Sequence, residues 1–344
     1  FNLLLENMED ITFEESLKIT NPLYVDVRAP IEYNEDHIPG AVNLPIFNDE
    51  ERKEVGTLYK MVGKVDAVKR GTEIGGRRIV DIINSLTEIK DKEIIIYCAR
   101  GGMRSGAVGS LINSLGIKTY RIIDGYRSFR KVVMDELSTV KIKPKIFILQ
   151  GLTGAGKTEI LKVLPNAIDL EDMAGHRSSI FGGIGLKQNS QKRFETLLWQ
   201  RLEELKNEAF IVIEGESKKV GNIHIPENIF MQMREAPPVY IETPIERRVE
   251  IIKKEYTGFN EDERILKIVN TLRSKLGADK TDTLIEFYNQ GNLDEFIKIL
   301  LLDYYDTLYR HTLDKFVYLA KINNNSTLEA AEKVLAVIKM TLDL

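Results

Sequence analysis

The sequence predicts a two-domain α/β protein in which each domain is a parallel sheet flanked by helices and the second ends in a helical part. Three observations carry this. Short apolar runs with β-branched centres alternate with segments of helical spacing, the pattern of a parallel sheet with crossover helices. The 344 residues are too many for one ordinary core. A polar stretch at 138–145 containing Pro144 interrupts the alternation, which then restarts with a glycine-rich loop. We place the domains at residues 1–140 and 141–255, with 256–344 a helical C-terminal extension of the second.

Residues 23–27 (LYVDV) read as a buried strand. In 37–45 (HIPGAVNLP) turn residues surround a short apolar stretch, which predicts a turn and then a strand. Residues 79–89 have helical spacing. The run EIIIY at 93–97 is a second buried strand, and it delivers Cys98 at its C-terminal end. Residues 105–115 form a helix, with Gly116 suited to its C-terminus. Strand 119–123 and helix 126–137 complete the first domain. In the second, strand 146–150 runs into the loop 151–158 and helix 159–164. A long amphipathic helix follows at 191–208, then a strand 210–213 ending at Glu214, and another at 239–241. Beyond Glu246 the pattern is helical almost to the end, with a tyrosine-rich stretch at 303–309.

Composition narrows the function classes. No run of about 18 apolar residues exists, so no membrane span is predicted. The start, FNLLLENMEDITF, has neither the basic segment nor the cleavage site of a signal peptide, so a cytoplasmic protein is expected. One cysteine excludes an internal disulfide and a cysteine-held zinc. The four histidines lack metal-ligand spacing, so no intrinsic metal is expected. The net charge of −4 argues against a uniformly basic nucleic-acid binder. From 97 to 145, however, ten Lys/Arg stand against three Asp/Glu. This surplus suits an anionic substrate and equally a solvated face balanced elsewhere.

Cys98-Ala-Arg100-Gly101-Gly102-Met-Arg104-Ser105 follows a buried strand and precedes a helix. Backbone N–H groups in such a loop form an anion-binding nest, and the helix N-terminus adds positive potential. Arg104, and Arg100 with it, supplies guanidinium donors. These groups favour the thiolate, the nucleophilic form. Gly101 and Gly102 are expected to permit the tight loop because they tolerate positive φ. A structural cysteine, the commoner kind, needs none of this.

Gly151-Leu-Thr153-Gly154-Ala-Gly156-Lys157-Thr158 matches G-x4-G-K-[ST] and sits between a strand and a helix, the context the motif requires. Its N–H groups cradle a di- or triphosphate, Lys157 neutralises charge, and the Thr158 hydroxyl suits Mg²⁺. Glu214 stands where an acidic partner of the loop is expected. It holds Mg²⁺ through water, acts as a base, or is only a strand-end carboxylate.

Asp26-Val-Arg28, Glu32-Tyr33, His37-Ile-Pro-Gly-Ala-Val-Asn43, the cysteine loop and Asp124-Gly125-Tyr126 together resemble a rhodanese domain. The usual loop of that family is Cys-x4-Arg. Here it is Cys-x5-Arg, a length shared with rhodanese-fold phosphatases and suited to a group larger than a sulfane sulfur. The fusion as a whole resembles the tRNA 2-selenouridine synthases. The resemblance rests on Asn43 to Arg52, Glu54-Val-Gly56-Thr57, the cysteine loop and residues 151–158. It continues through Leu170-Glu171, His176-Arg177, Phe181-Gly182, Ser190-Gln191-Lys192, Phe194-Glu195, Glu214-Gly-Glu-Ser217 and Tyr304-Tyr305-Asp306.

The resemblance implies conversion of 2-thiouridine at position 34 of the glutamate, glutamine and lysine tRNAs to 2-selenouridine. The route is S-geranylation by geranyl diphosphate and then replacement by selenium from selenophosphate. It implies no tightly bound cofactor, a selenium adduct on Cys98, and the prenyl diphosphate or a nucleotide on the phosphate loop. His176 and Arg177 are candidate substrate contacts by resemblance. Asp26 and Arg28 are expected to brace the cysteine loop. Tyr304, Tyr305 and Tyr309 suit base stacking, but at helical spacing they read first as packing residues. Lys60, Lys64, Arg70, Arg77 and Arg78 suit tRNA phosphates or a solvated face. The competing functions are a rhodanese-fold phosphatase or sulfurtransferase fused to a nucleotide-binding domain, and an NTP-gated tRNA-binding module.

Overall fold

The computed structural model describes residues 8–87, 89, 92–256, 258–259 and 261–343. The chain divides into two compact units, residues 1–136 and 137–344. The strands are β1 (Glu9–Ile11), β2 (Pro22–Asp26), β3 (Val42–Asn43), β4 (Glu93–Tyr97), β5 (Thr119–Ile122), β6 (Lys145–Gly151), β7 (Ala167–Ile168), β8 (Phe210–Glu214), β9 (Lys219–Val220), β10 (Ile223–His224), β11 (Pro238–Glu242) and β12 (Lys321–Asn323).

The first unit holds a five-stranded sheet in the order β1-β5-β4-β2-β3, and every pairing is parallel. The β-branched run of β4 sits at its centre. Ile94, Ile95, Ile96 and Tyr97 are wholly buried, as a strand covered on both faces must be. The core gathers Val25, Ile94, Ile96, Val108 and Ile112, and Cys98 belongs to it. Two helices, Asp49–Met61 and Lys64–Thr87, fill the connection before β4. The second begins well before the expected residue 79. Val65, Val68 and Val80 are exposed on it, which blurs the apolar stripe that marks a helix in sequence.

The second unit holds another all-parallel sheet, in the order β12-β11-β6-β8-β7. The phosphate-loop strand β6 is central. The helix Thr327–Thr341 packs on one face through Ala330, Ala331, Val334 and Ile338. A separate helical core forms around Leu284, Phe296, Leu300 and Tyr304. The C-terminal region is not helical throughout, because β12 adds an edge strand beside β11. Among the described residues no helix is long and apolar enough to cross a membrane.

Candidate functional sites

The first site lies at the C-terminal end of β4. Cys98 is 4% exposed, and the Ser105 hydroxyl donates to its sulfur at 3.3 Å. Burial pushes the thiol up. The Ser105 hydroxyl, the Arg104 charge and the backbone N–H groups of Ser105 and Arg100 more than offset this, so its pKa lies below the ordinary value. The helix Met103–Ser114 starts directly after the loop. Arg104 is not a free guanidinium, because it pairs with Glu32 at 2.8 Å, and Arg100 is exposed.

Gly101 has φ +58, and a Cβ there would stand 2.6 Å from the Ile122 carbonyl oxygen. Gly101 uses the tolerance of positive φ and Gly102 does not. The Gly102 φ is −97 and a Cβ would meet nothing within 4 Å. The loop is tied down by Tyr126 N–H donating to the Cys98 carbonyl at 2.9 Å and Arg127 N–H donating to Ala99. Asp26 and Arg28 form a buried ion pair at 2.6 Å. The Arg28 guanidinium also lies 3.9 Å from the centre of the Tyr126 ring, so the pair reaches the loop through that tyrosine. The cationic surplus around the site is matched in part: Arg121 pairs with Asp10 and Lys118 with Glu93. Likewise Arg70 pairs with Glu54 and Arg78 with Glu51, which favours the solvated-face reading of that cluster.

The second site lies at the C-terminal end of β6. Gly154 and Gly156 take φ +74 and +80, and the helix Lys157–Val163 starts where the loop ends. A Cβ on Gly156 would come within 2.6 Å of Asn324 Nδ2. The loop is held from outside. Thr243 Oγ1 and Asn324 Nδ2 both donate to the Ala155 carbonyl, at 2.8 and 2.9 Å. Arg248 donates to the Thr153 carbonyl at 2.9 Å while forming a buried two-point pair with Asp306. The motif in sequence does not reveal these four residues, since they come from distant segments.

Glu214 ends β8 beside the loop, with Oε1 3.9 Å from Lys157 Nζ. It is fully buried, and neither carboxylate oxygen has a hydrogen-bond partner among the described residues. With Glu171 and Glu216 it forms a cluster whose ligand atoms lie within 4.8 Å of one another. Burial and the neighbouring carboxylates push Glu214 well above the usual carboxylate range. The same causes put Glu216 at about 7, against the pull of Lys157. Burial alone would lower the Lys157 ammonium, but Glu214, Glu216, Glu171 and Glu255 hold its pKa above the ordinary value. Glu171 and Glu216 escaped notice as acids in the sequence, because their convergence on Lys157 depends on how separate segments fold.

A cavity of about 830 Å³ opens from the loop. Its wall includes Gly151, Thr153, Gly154, Gly156, Lys157 and Thr158 at one end. Phe181, Ile265, Phe296, Leu300, Leu308 and Phe316 are among its apolar residues. Arg177 is on the wall, but its guanidinium is occupied by the Ile184 and Glu255 carbonyls. His176 is off the wall. Gly182 and Gly221 pack so closely that Cβ atoms there would stand 2.7 Å from its ring. Tyr304 and Tyr305 are 5% exposed, as packing residues are, while Tyr309 is 41% exposed.

The fold and these two sites define a rhodanese-type thiol domain joined to a phosphate-loop domain. Residues 12–131 match the rhodanese-like domain family, and residues 144–279 match the family described as tRNA 2-selenouridine synthase AAA domain. Full-length relatives carry the same name. The tRNA 2-selenouridine synthase of Sulfurovum sp. (strain NBC37-1) is 32% identical over 90% of this chain and 94% of its own. That of Hydrogenovibrio crunogenus is 31% identical over 88% and 92%. That of Pseudomonas syringae pv. syringae is 33% identical over 83% and 87%. The chain belongs to the tRNA 2-selenouridine synthase family.

Proposed function

We propose that this protein converts 2-thiouridine at tRNA position 34 to 2-selenouridine, first S-alkylating the base with geranyl diphosphate and then replacing sulfur with selenium from selenophosphate. The substrates are the glutamate, glutamine and lysine tRNAs. The observation that carries the reading is a phosphate loop opening directly into a large, mainly apolar cavity. A nucleotide needs the loop but not so much apolar wall. A prenyl diphosphate needs both.

In the first step the base sulfur bonds to C1 of the prenyl chain. The C1–O bond breaks with its electron pair leaving on diphosphate, and the N3 proton is lost from the base. Lys157 and the loop N–H groups stabilise the departing charge. The residues also fit a divalent cation: Glu214 is buried with no hydrogen-bond partner among the described residues, beside two further carboxylates. Mg²⁺ held there would add positive charge where the diphosphate accumulates negative charge. Sulfur that was a poor leaving group as a thione has become a thioether. The selenium of selenophosphate then bonds to C2, the C2–S bond breaks with its electron pair leaving as geranyl thiolate, and water cleaves the Se–P bond to release phosphate. Cys98, its thiol being lowered by Ser105 and Arg104, is the nucleophile we assign to this step.

The test is mass spectrometry of nucleosides from 2-thiouridine tRNA incubated with protein and each donor, separately and together. The expected result is the geranyl nucleoside with the prenyl donor and the seleno nucleoside with both. An unchanged tRNA, with Cys98-dependent phosphate release from an aryl phosphate instead, would establish the phosphatase reading.

A further inference from the structure

The cavity carries hydrogen-bonding groups that a diphosphate and its chain leave unused. Tyr305 ends a π-helix, Leu300–Tyr305, and lines the cavity. Such turns recur at functional sites. Its side chain is buried, and its hydroxyl has no hydrogen-bond partner among the described residues. Ser179 beside it is already engaged by the Tyr256 hydroxyl at 3.2 Å and by Phe181 N–H. The Ser178 hydroxyl, also on the cavity wall, is buried beside the Glu216 carboxylate but has no hydrogen bond of good geometry among the described residues. Buried hydroxyls without partners are rare and unfavourable, and each calls for an explanation. A hydrocarbon chain offers them nothing.

Geometry supplies the missing partner. The prenyl carbon attacked is one bond from the diphosphate oxygen, so the attacking sulfur must come to about 3–3.5 Å from the first atom beyond the phosphate loop. The acceptor base therefore stands in this same cavity. At about 830 Å³ the cavity is near the top of the range of roughly 300–1,000 Å³ for small-ligand sites, with room for both reactants. We propose that Tyr305 and Ser178 form the subsite for the thiouracil base, swung out of the anticodon into the cavity, with the tyrosine hydroxyl donating to the 4-oxygen. This rests on the geranylation reading above. Of the base's polar atoms, N3 loses its proton and sulfur becomes alkylated. The 4-oxygen alone accepts a hydrogen bond throughout. Burial keeps the Tyr305 phenol protonated, hence a donor. An anticodon base, already unpaired, is the least costly kind to extrude.

The test is a cycle of protein and base substitutions on the full chain. Affinities are measured for anticodon stem-loops bearing 2-thiouridine or 2,4-dithiouridine, whose 4-sulfur accepts poorly, with wild type and Tyr305→Phe. Geranyl diphosphate affinity and geranyl transfer are measured on the same preparations. Tyr305→Phe is expected to weaken the 2-thiouridine stem-loop about tenfold, the size of one lost hydrogen bond. It should leave the dithio stem-loop within about twofold and geranyl diphosphate affinity intact. Ser178→Ala should weaken the 2-thiouridine stem-loop several-fold without touching the donor. Equal penalties on both stem-loops, or loss of geranyl diphosphate binding, would overturn the subsite while leaving geranylation standing. Absence of geranyl transfer by wild type would overturn the geranylation reading, and the subsite with it.

Discussion

Cys98 shows how little of a reactive thiol resides in the cysteine itself. It is as buried as a core residue, and burial alone would raise its pKa. The Ser105 hydroxyl, Arg104 and two backbone N–H groups reverse that sign. Ser105→Ala and Arg104→Ala are therefore each expected to move the midpoint of iodoacetamide alkylation to higher pH. An unmoved midpoint in both would place the cause in the loop backbone alone. Cys98→Ser should abolish selenium incorporation while sparing geranyl transfer, read by nucleoside mass spectrometry, because in the proposed route only the selenium step uses the nucleophile. At the other site Lys157→Ala should lower geranyl transfer by about 10²-fold or more, since in the proposed route the departing diphosphate would lose its half-buried cation. Full activity in that variant would show that the loop serves another ligand.

At the scale of elements, the phosphate loop owes its shape to supports that its own sequence does not contain. Arg248 links the Thr153 carbonyl to Asp306, and both charged side chains are buried. Removing one member of such a pair leaves the other charged and unsatisfied, at a cost of about 3–5 kcal/mol. Asp306→Ala should thus lower the thermal midpoint and weaken geranyl diphosphate binding together. If binding fell with no change in melting, the pair would matter for the ligand alone. Where a short motif determines its own geometry, as in β4 with its cysteine loop or β6 with its glycines, the sequence was legible to within a residue or two. The helix Lys64–Thr87, with exposed valines, and the edge strand β12, three residues long, lacked a periodic signal. Gly102 looked like Gly101 in sequence, and only the backbone separates them.

Across the whole chain, the two chemistries were legible because each rests on a contiguous motif, whereas the cavity and its carboxylates assemble from segments between Ile148 and Phe316. That assembly has a consequence for stability. Burial and mutual repulsion raise Glu216 and Glu255 to about 7 and Asp169 to about 6. Each folded-state value lies above that of the unfolded chain, so folding takes up protons between them. The contribution is full below about pH 4, where both states are protonated, and is lost as pH rises through 6 to 7. The melting temperature of the full chain should therefore fall by roughly a few degrees between pH 5.5 and 8. A divalent cation held among these carboxylates would answer the same excess of negative charge. Geranyl diphosphate with Mg²⁺ should restore more stability at pH 8 than at pH 5.5, while either Glu216→Gln or Glu255→Gln should flatten the profile. A profile unchanged in both variants would mean that these carboxylates reach enough water to titrate as ordinary surface groups.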